Sequence, residues 1–569
     1  MAALPLAAAG TFLDPARLGL DGPYAFGRTI ERLLLHLDFH DIRNIDGPGD
    51  EGGDILSARD GSRWVFQCKW TSKQTIDATG VEQADAAKAY YGTDRAVVVT
   101  NALESAGALK RRRELRSVGS RIDLWNADAL VKFAGDVTPA YPPTRLHGDA
   151  LRPYQRAAIS KATMALERDQ RALVILATGL GKTVVAGDII DKHLGGKPDD
   201  PVLVVAHTKE LVVQLERALW KHLPKTVPTQ LLTSDQRPSS TSGVTCATVA
   251  SALKAVRAGY HPGLVVVDEA HHVGEEGRFQ ELLDLLADVP QLALTATPWR
   301  GDGYDLGHRF GAGVFTMGIA DGMAAGYLAQ VDYRLLVDAG LDWEAVTEAS
   351  EQGLTIKDLN RRLFLPQRDE LIADTLREVW DRTHEPRAIV FSRTINHAEE
   401  FAQMLRERGW ARAQCLSNRQ SKRERNILMS HFADGRIPII TAVDVLNEGV
   451  DVPDVNILCF LRVTHSRRIF VQQLGRGLRL RPRKDQVVVL DFVSDIRRIA
   501  ATISLRRDLE WLASGAIERV WMTKSEFSFS RPDIGSLLEE WIKDAASLED
   551  ADEEVRLQFP RGLVPDEGA

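Results

Sequence analysis

A glycine-rich run, ATGLGKT at residues 177–183, constrains the fold of this chain more than any other feature of its sequence. It follows an apolar segment, 172–176, and precedes a helical pattern that begins at Val184. In such a strand–loop–helix unit the backbone N–H groups of the loop converge on one spot, the lysine adds positive charge, and the threonine hydroxyl reaches a metal ion. The unit therefore predicts a phosphate-binding site at the edge of a parallel sheet.

Short apolar runs that recur after residue 150 predict two such sheets. Runs that are buried on both faces and separated by helical patterns are typical of α/β domains. The runs fall into two groups, in 150–310 and 330–498, which the irregular stretch 301–313 separates. The eight runs are 172–176, 202–206, 264–267, 292–294, 388–391, 439–442, 457–461 and 487–490.

Length and composition set the remaining boundaries. A chain of 569 residues is long enough for several domains. Residues 136–149 hold three prolines without apolar periodicity, which predicts a linker after an N-terminal domain at 20–135. Residues 499–569, with Trp511, Trp521 and Trp541, are predicted to form a mainly helical extension with an acidic tail.

The charge and the hydropathy of the chain limit its environment. A net charge of −8 does not exclude a nucleic-acid partner, because residues 538–569 alone hold ten acidic and three basic side chains. No apolar run approaches the length of a membrane span, and the four cysteines form no CxxC pair. We therefore expect a cytoplasmic protein with reduced thiols and no membrane partner.

Two carboxylates extend the phosphate site. The apolar run 264–267 ends in Asp268 and Glu269, at the sheet edge where the glycine-rich loop also lies. Asp268 is predicted to hold Mg²⁺, and Glu269 to orient and deprotonate the attacking water. The loop residues predicted to bind ATP and its Mg²⁺ are Thr178, Gly179, Gly181, Lys182 and Thr183.

Together with six further motifs, these residues resemble the DEAD/DEAH-box helicases of superfamily 2. The motifs occur in the order in which that family has them, and the resemblance extends over about 350 residues. In chain order they are RPYQ (152–155), AHTKEL (206–211), TATP (295–298), VFSR (390–393), TAVD to EGVD (441–451) and QQLGRGLR (472–479).

The resemblance implies two tandem RecA-like domains that close on ATP and step along a nucleic-acid strand. Gln155 would read the adenine, and Asp451 and Gln472 would bind the nucleotide from the second domain. Arg476 and Arg479 would stabilise the transferred phosphoryl group across the cleft, which is worth about 10³ to 10⁵ in rate. Hydrolysis would then require closure of the cleft.

The N-terminal domain carries a separate chemistry. Asp60-Gly61 between two strand-like runs predicts a two-residue hairpin turn, so that paired positions sum to 121. This register places Asp54 opposite Gln67, with Lys69 on the same face. A carboxylate, an amide oxygen and an ammonium suit metal-assisted hydrolysis of a phosphodiester. A helical apolar stripe, formed by Phe26, Ile30, Leu33, Leu34 and Leu37, has Glu31 at its border.

The segments GDEGGDI, FQCK, VVVTN and IDLWNADAL resemble the Mrr-type branch of the PD-(D/E)xK nucleases. Gln67 replaces the acid of the general pattern, as it does elsewhere in this branch. The resemblance implies that Asp54, Gln67 and Glu31 hold Mg²⁺ and that Lys69 stabilises the developing charge. A degenerate nuclease fold that only binds DNA is the alternative.

The sequence therefore predicts a restriction-endonuclease-like α/β domain followed by two RecA-like domains. We expect an ATP-dependent DNA translocase or helicase coupled to a metal-dependent endonuclease, in bacterial restriction or anti-phage defence. Two alternatives remain open: a repair or recombination helicase, or a regulatory ATPase in a multi-protein defence complex. The motor motifs leave RNA open as a substrate.

Overall fold

In the computed structural model the chain divides into two compact units. The first comprises Met1–Leu176, Gly181–Thr316 and Ser421–Ser430, and the second Ala177–Leu180, Met317–Gln420 and His431–Ala569. The structure describes residues 11–14, 18–19, 21–47, 50–143, 151–296, 304–336, 368–392, 394–410, 412–443, 455–461, 486–492, 521–523 and 526–529.

The N-terminal part of the first unit is built on a five-stranded sheet with the strand order β1-β2-β3-β5-β7. Its first three strands are antiparallel, and β3, β5 and β7 run parallel. The strands are β1 (His40–Asn44), β2 (Ile55–Arg59), β3 (Ser62–Lys69), β5 (Arg95–Thr100) and β7 (Ile122–Trp125), and β4 (Thr75–Ile76) pairs with β6 (Leu103–Glu104). The helices are α1 (Gly22–His36), α2 (Thr79–Tyr91), α3 (Ala106–Ser117) and α4 (Ala127–Lys132). A short π-helix at Phe133–Val137 follows α4.

Alternation of side chains along β5 divides the core of this domain into two layers. Val97 and Val99 pack in the cluster that includes the buried face of α1, whereas Ala96 and Val98 pack in the cluster that includes α2. Successive side chains of a strand point to opposite faces of the sheet, so one apolar strand serves both layers. The sheet is therefore covered by helices on both faces.

The predicted hairpin is confirmed. Asp60 and Gly61 both have positive φ, 49° and 70°, as a two-residue turn of this kind requires. β2 and β3 pair with Ile55 opposite Phe66 and Arg59 opposite Ser62, so paired positions sum to 121. The register that orients Asp54 and Gln67 is thus the one that the turn predicts.

The second sheet has seven strands in the order β10-β11-β9-β12-β13-β8-β14, and the pairings from β10 to β8 are parallel. All four runs predicted for this group are strands; β10, β11 and β14 were not predicted. The strands are β8 (Arg171–Leu176), β9 (Val202–Ala206), β10 (Thr229–Leu232), β11 (Val244–Thr248), β12 (Leu264–Val267), β13 (Gln291–Thr295) and β14 (Phe315–Met317). The helices are α5 (Pro153–Asp169), α6 (Lys182–Gly196), α7 (Lys209–Trp220), α8 (Val249–Arg257), α9 (Arg278–Leu285) and α10 (Gly307–Phe310), with a 3₁₀ turn at Ala270–His272.

The third sheet has eight strands in the order β17-β18-β16-β19-β20-β15-β22-β21, and all four runs predicted for it are strands. It is parallel except where β22 meets β15 and β21. The strands are β15 (Gln330–Leu336), β16 (Ala388–Phe391), β17 (Gln414–Leu416), β18 (Ile439–Ala442), β19 (Ile457–Phe460), β20 (Gln486–Phe492), β21 (Trp521–Thr523) and β22 (Glu526–Phe529). The helices are α11 (Ile319–Ala324), α12 (Arg368–Arg382), α13 (Ile395–Glu407) and α14 (Lys422–Ala433).

The C-terminal extension differs from the prediction where the structure describes it. The seven described residues of 499–569 form β21 and β22, which extend the third sheet, rather than helix. Two short strands gain their stability by pairing with a sheet edge, a long-range effect that apolar periodicity does not show. Trp511 and Trp541 lie outside the described residues. None of the described helices is long and apolar enough to cross a membrane.

A pair of glycines with positive φ tests the packing beside Asp54. A Cβ on Gly52, at φ +82°, would lie 2.5 Å from the Gln83 Cβ of α2, whereas a Cβ on Gly61, at φ +70°, would meet nothing within 4 Å. Gly61→Ala should therefore cost only about 1 kcal/mol of backbone strain, and Gly52→Ala should cost more than about 2 kcal/mol because a clash is added. Calorimetric unfolding of the full chain measures both, and equal losses would contradict this packing.

Candidate ATP site and nuclease site

The glycine-rich loop joins the end of β8 to the start of α6. Gly179 and Gly181 have φ of 93° and 85°, a backbone conformation that side chains with a Cβ rarely adopt. A Cβ on Gly181 would lie 2.8 Å from the Nε2 of Gln155, so the loop packs closely on the predicted adenine-reading residue. The first turn of α6, with Lys182 and Thr183, begins directly after Gly181. Its N–H groups and positive dipole end are suited to a phosphate.

An ionic network stands at the end of β12. The Lys182 Nζ lies 3.5 Å from Glu269 Oε1, and both side chains are largely buried. His271 Nδ1 lies 3.3 Å from Glu269 Oε2 and 3.2 Å from the hydroxyl of Thr295. Thr295 is the first residue of the TATP motif and the last of β13. His271 therefore connects the predicted catalytic carboxylate to the predicted coupling motif.

Glu269 itself has an uncommon backbone. Its φ is 48°, and it immediately precedes the 3₁₀ turn that carries the two histidines. Non-glycine residues with positive φ are rare, and strained backbone is concentrated at functional sites. The chain changes direction at this turn, directly after a fully buried strand, and Glu269 faces Lys182.

The electrostatics of this site favour a cation. Removal from water, followed by the neighbouring charge of Glu269, raises the pKa of Asp268 well above its ordinary value. Lys182 acts in the opposite direction and only partly offsets these two effects. A divalent ion beside Asp268 would stabilise the ionised carboxylate. The donor set of Thr183, Asp268 and Lys182 thus fits a metal-bound nucleotide.

The Thr178 hydroxyl supports the same conclusion about the loop. It is buried and has no hydrogen-bond partner among the described residues. Buried polar atoms without a partner are uncommon in folded proteins, so such an atom in a phosphate-binding loop suggests a ligand contact. Thr178, Gly179 and Gly181 therefore fit the nucleotide-binding role that the sequence predicts.

The remaining residues predicted for the ATP site belong to motifs nearer the C-terminus. Asp451, Gln472, Arg476 and Arg479 lie outside the described residues, as do Arg393, Thr297 and Pro298 of the neighbouring motifs. The contribution of the second RecA-like domain to hydrolysis therefore remains a prediction from sequence.

In the N-terminal domain, the hairpin brings Asp54 and Gln67 together. The Gln67 Nε2 donates a hydrogen bond of 2.8 Å to Asp54 Oδ2, and the backbone N–H of Cys68 donates one of 2.5 Å to the same oxygen. Both side chains are buried, at 7% and 4% exposure. Gln67 Oε1 is buried without a hydrogen-bond partner among the described residues. An amide oxygen in that state beside a carboxylate fits a metal-ligand role.

Lys69 follows at the end of the same strand. It pairs in register with Thr100 of β5, and its aliphatic stem packs against Gly80, where a Cβ would lie 3.3 Å from the Lys69 Cγ. Burial raises the pKa of Asp54, and the charge of Lys69 acts against this rise, so the ammonium lies within electrostatic reach of that carboxylate. The structure thus brings Asp54, Gln67 and Lys69 into one site.

Two carboxylates that sequence reasoning missed join this site. Oxygen atoms of Asp46, Asp50 and Asp54 all lie within 4.8 Å of one another, in the one such cluster among the residues that the structure describes. Asp46 is exposed, Asp50 half-buried and Asp54 buried. The acid-rich segment before Asp54 was the available signal, but the sequence does not show that these three side chains meet.

Glu31 lies on α1 beside the apolar stripe and is buried, at 2% exposure. Its carboxylate accepts hydrogen bonds from Asn44 Nδ2 at 3.0 Å and from Arg217 Nη2 at 2.8 Å, and Arg217 Nε lies 2.6 Å from its second oxygen. Glu31 is also not part of the three-carboxylate cluster. Its role as a metal ligand therefore stays a prediction.

Burial dominates the electrostatics of the nuclease site. It raises the pKa of Asp54 to about 7, and the charges of Asp46 and Asp50 add to this effect. The Cys68 N–H and Lys69 act in the opposite direction without cancelling it. A divalent cation among these oxygens would remove the penalty of ionising Asp54, so the donor set fits a metal.

These two sites define the classes of domain that the chain contains. Residues 21–134 match the family model described as a restriction endonuclease, which is of the Mrr type. Residues 149–300 match the model of the type III restriction enzyme res subunit, and residues 369–481 that of the helicase conserved C-terminal domain. The chain therefore joins an N-terminal Mrr-type restriction endonuclease domain to two helicase domains.

Similar proteins include restriction enzymes. The chain is 27% identical over 322 residues to a 51.5 kDa protein of Lactococcus phage (isolate 7-9), and 26% identical over 396 residues to the endonuclease subunit of the type I restriction enzyme EcoAI of Escherichia coli. These alignments cover 55% and 61% of this chain, and 63% and 46% of the relatives. The chain thus spans less than two thirds of the length of either relative.

A solved structure shares the fold. The ATP-dependent type ISP restriction-modification enzyme LlaBIII, bound to DNA, aligns with a TM-score of 0.50 and 16% sequence identity. The alignment covers 97% of this chain and 43% of that chain. Similarity at this identity supports the mixed α/β architecture with parallel sheets and does not by itself establish the activity.

The raised pKa of Asp54 predicts how stability depends on pH without metal. Between about pH 4 and pH 7 this carboxyl is ionised in the unfolded chain but protonated in the folded one, so stability falls as pH rises through this window. The loss amounts to about 4 kcal/mol at most. Asp54→Asn should remove it.

The measurement is the unfolding free energy in EDTA at a series of pH values. The two proteins should converge near pH 4, and the variant should be the more stable of the two at pH 8. Parallel curves across the window would show that Asp54 is not held in its protonated form.

Proposed function

We propose that this protein is an ATP-driven DNA translocase or helicase coupled to a metal-dependent DNA endonuclease in bacterial restriction or anti-phage defence. The observation that carries the proposal is the occurrence of two sites in one chain. Asp54, Gln67 and Lys69 form a cluster suited to phosphodiester hydrolysis, and Lys182 and Glu269 form one suited to ATP hydrolysis. The similarity to restriction enzyme subunits supports the defence role.

In the proposed motor cycle, Lys182 and the first turn of α6 hold the phosphates and Gln155 lies beside the base. Glu269 positions the water and accepts its proton, and Arg476 and Arg479 complete the site when the domains close. His271 transmits the state of Glu269 to Thr295 through the contacts described above. In this proposal the two motor domains are residues 150–310 and 330–498, and residues 136–149 are the linker.

In the proposed nuclease, the metal is Mg²⁺. Asp54 and the Gln67 amide offer oxygen ligands, which Mg²⁺ prefers, and Asp46 and Asp50 stand close enough to share it or its waters. The metal would polarise the scissile phosphate and activate a water. Lys69 would stabilise the charge that develops on the phosphorane. The nuclease domain corresponds to residues 20–135.

The substrate that we propose is DNA, because the nuclease domain is of the restriction endonuclease class. A DNA-cutting motor acts where DNA is, so we place the activity in the cytoplasm. Protein contacts to the phosphate backbone give little sequence preference, so another component must select the target sequence. Partner proteins of a defence complex are the proposed source of that selectivity.

Plasmid cleavage tests the proposal directly. Full-length protein with Mg²⁺ and ATP should linearise or degrade plasmid DNA, and a non-hydrolysable ATP analogue should not support cutting. Lys69→Ala should reduce cutting at least about 100-fold, because stabilisation of the transition-state charge is lost, while DNA-stimulated ATP hydrolysis continues. Cutting retained by Lys69→Ala would contradict the nuclease assignment.

The reciprocal variants separate the motor from the nuclease. Lys182→Ala removes the charge that holds the phosphates, and Glu269→Gln keeps the shape of the side chain but removes the general base. Both should lower ATP turnover at least about 100-fold. Phosphate release in the presence of DNA is the measurement. Normal turnover in either variant would place the catalytic ATP site elsewhere.

A further inference from the structure

The nuclease domain and the first motor domain, which lie in one unit, are joined by a row of charges between α1 and α7. Arg28 Nη1 lies 2.5 Å from a carboxylate oxygen of Glu216, and both side chains are buried. Three residues further along α1, Glu31 pairs with Arg217 as described above. Residues three apart share one face of a helix, so α1 presents both charges to adjacent residues of α7.

Backbone acceptors fix this arrangement on both sides. Arg32 donates from Nη1 to the carbonyl of Val227 at 2.8 Å and from Nη2 to that of Pro224 at 2.9 Å. Lys225 Nζ donates to the carbonyls of Gly135 and Thr138, each at 2.7 Å. Arg32 of the nuclease domain thus lies among carbonyls of the motor domain, and Lys225 of the motor domain lies among carbonyls at the end of the nuclease domain and the start of the linker. The Glu31–Arg217 pair lies in a defined interface.

Glu31 is closely connected to the metal-ligand cluster. Its partner Asn44 is followed by Ile45, whose N–H donates a hydrogen bond of 2.8 Å to the carbonyl of Asp54. The Cys68 thiol is half-buried. Its removal from water raises its pKa, and the charges of Asp54, Glu31 and Asp46 add to this rise. One hydrogen-bonded step of backbone therefore separates the Glu31 contact from Asp54. Both oxygens of Glu31 are nevertheless engaged by Arg217.

The other end of α7 belongs to the motor. Thr208, whose hydroxyl accepts the N–H of Leu211, caps the helix, and Lys209 is its first residue. Both lie in the AHTKEL segment, the predicted strand-gripping motif. A helix of 12 residues is about 18 Å long. If it moves as one body, a displacement at the strand grip reaches Arg217.

We propose that Arg217 is a positioning residue that withholds the Glu31 carboxylate from the metal site of the nuclease, so that the motor domain controls metal loading. The proposal rests on the function proposed above and specifies how its two sites communicate. A guanidinium that holds both carboxylate oxygens competes directly with a divalent cation for the same lone pairs. When α7 moves, Glu31 is released and adds a negative charge to the ligand set.

Metal binding tests the proposal without relying on DNA cutting. The probe is Mn²⁺ added to nucleotide-free full-length protein, with the free ion followed by electron paramagnetic resonance. The nuclease site is defined as the Mn²⁺ binding that is lost in Asp54→Asn. Arg217→Ala should tighten this binding about tenfold or more, because it frees a buried carboxylate and removes a positive charge from its vicinity.

Three variants separate release of Glu31 from general loosening of the interface. Arg217→Lys keeps the charge and should bind Mn²⁺ nearly as the wild type does. Arg28→Ala breaks the neighbouring pair and leaves Glu216 buried without its cation, so it loosens the interface at least as much. It should leave the Mn²⁺ affinity within about twofold of the wild type. In Arg217→Ala combined with Glu31→Gln the gain should disappear.

The outcomes distinguish this inference from the proposed function. Unchanged or weaker Mn²⁺ binding in Arg217→Ala, or equal gains in Arg217→Ala and Arg28→Ala, would overturn the inference even if ATP-dependent cutting is observed. A gain that requires Glu31 supports the inference even if no plasmid is cut. In a protein preparation that cleaves plasmid DNA, Arg217→Ala should also cleave in the absence of ATP. It should need a lower Mg²⁺ concentration for cleavage than the wild type does.

Discussion

Carboxylates held out of water are the constraint on which both sites depend. Asp54 lies beside the first residue of β2, and Asp268 and Glu269 directly follow β12, a strand that is buried along its whole length. Burial opposes ionisation, so each carboxylate needs a cationic or hydrogen-bonding partner. Glu269 has Lys182, whereas Asp54 and Asp268 keep a raised pKa. A cation bound beside either of these two carboxylates would stabilise its ionised form.

The same constraint explains the interface between the nuclease and the first motor domain. Glu31 and Glu216 are buried in it, and each is matched by an arginine from the opposite domain. Breaking one member of such a pair leaves an unpaired buried charge and is strongly destabilising, so the pairs stabilise the arrangement that the structure shows. The interface thereby combines a structural role with contacts to Glu31, the carboxylate that is predicted to serve the nuclease site.

Local sequence was sufficient for the parts of the fold in which neighbours along the chain determine geometry. The turn at Asp60-Gly61 fixed the register of β2 and β3, and eight apolar runs became strands of two sheets. Short strands with mixed composition, such as β11, were missed because their burial follows from the sheet around them. The strands at 521–523 and 526–529 differ from the predicted helix for the same reason.

By itself, the sequence determined the chemistry available at each site, because the phosphate loop, the Asp268-Glu269 pair and the Asp54–Gln67 pair depend on spacings within single turns or hairpins. Only the tertiary structure decided which charges meet. Glu31 and Arg217 are separated by 186 residues, and Asp46 and Asp50 approach Asp54 through a loop without periodicity. Contacts between residues far apart in the chain are set by the packing of whole helices and sheets, which no local pattern encodes.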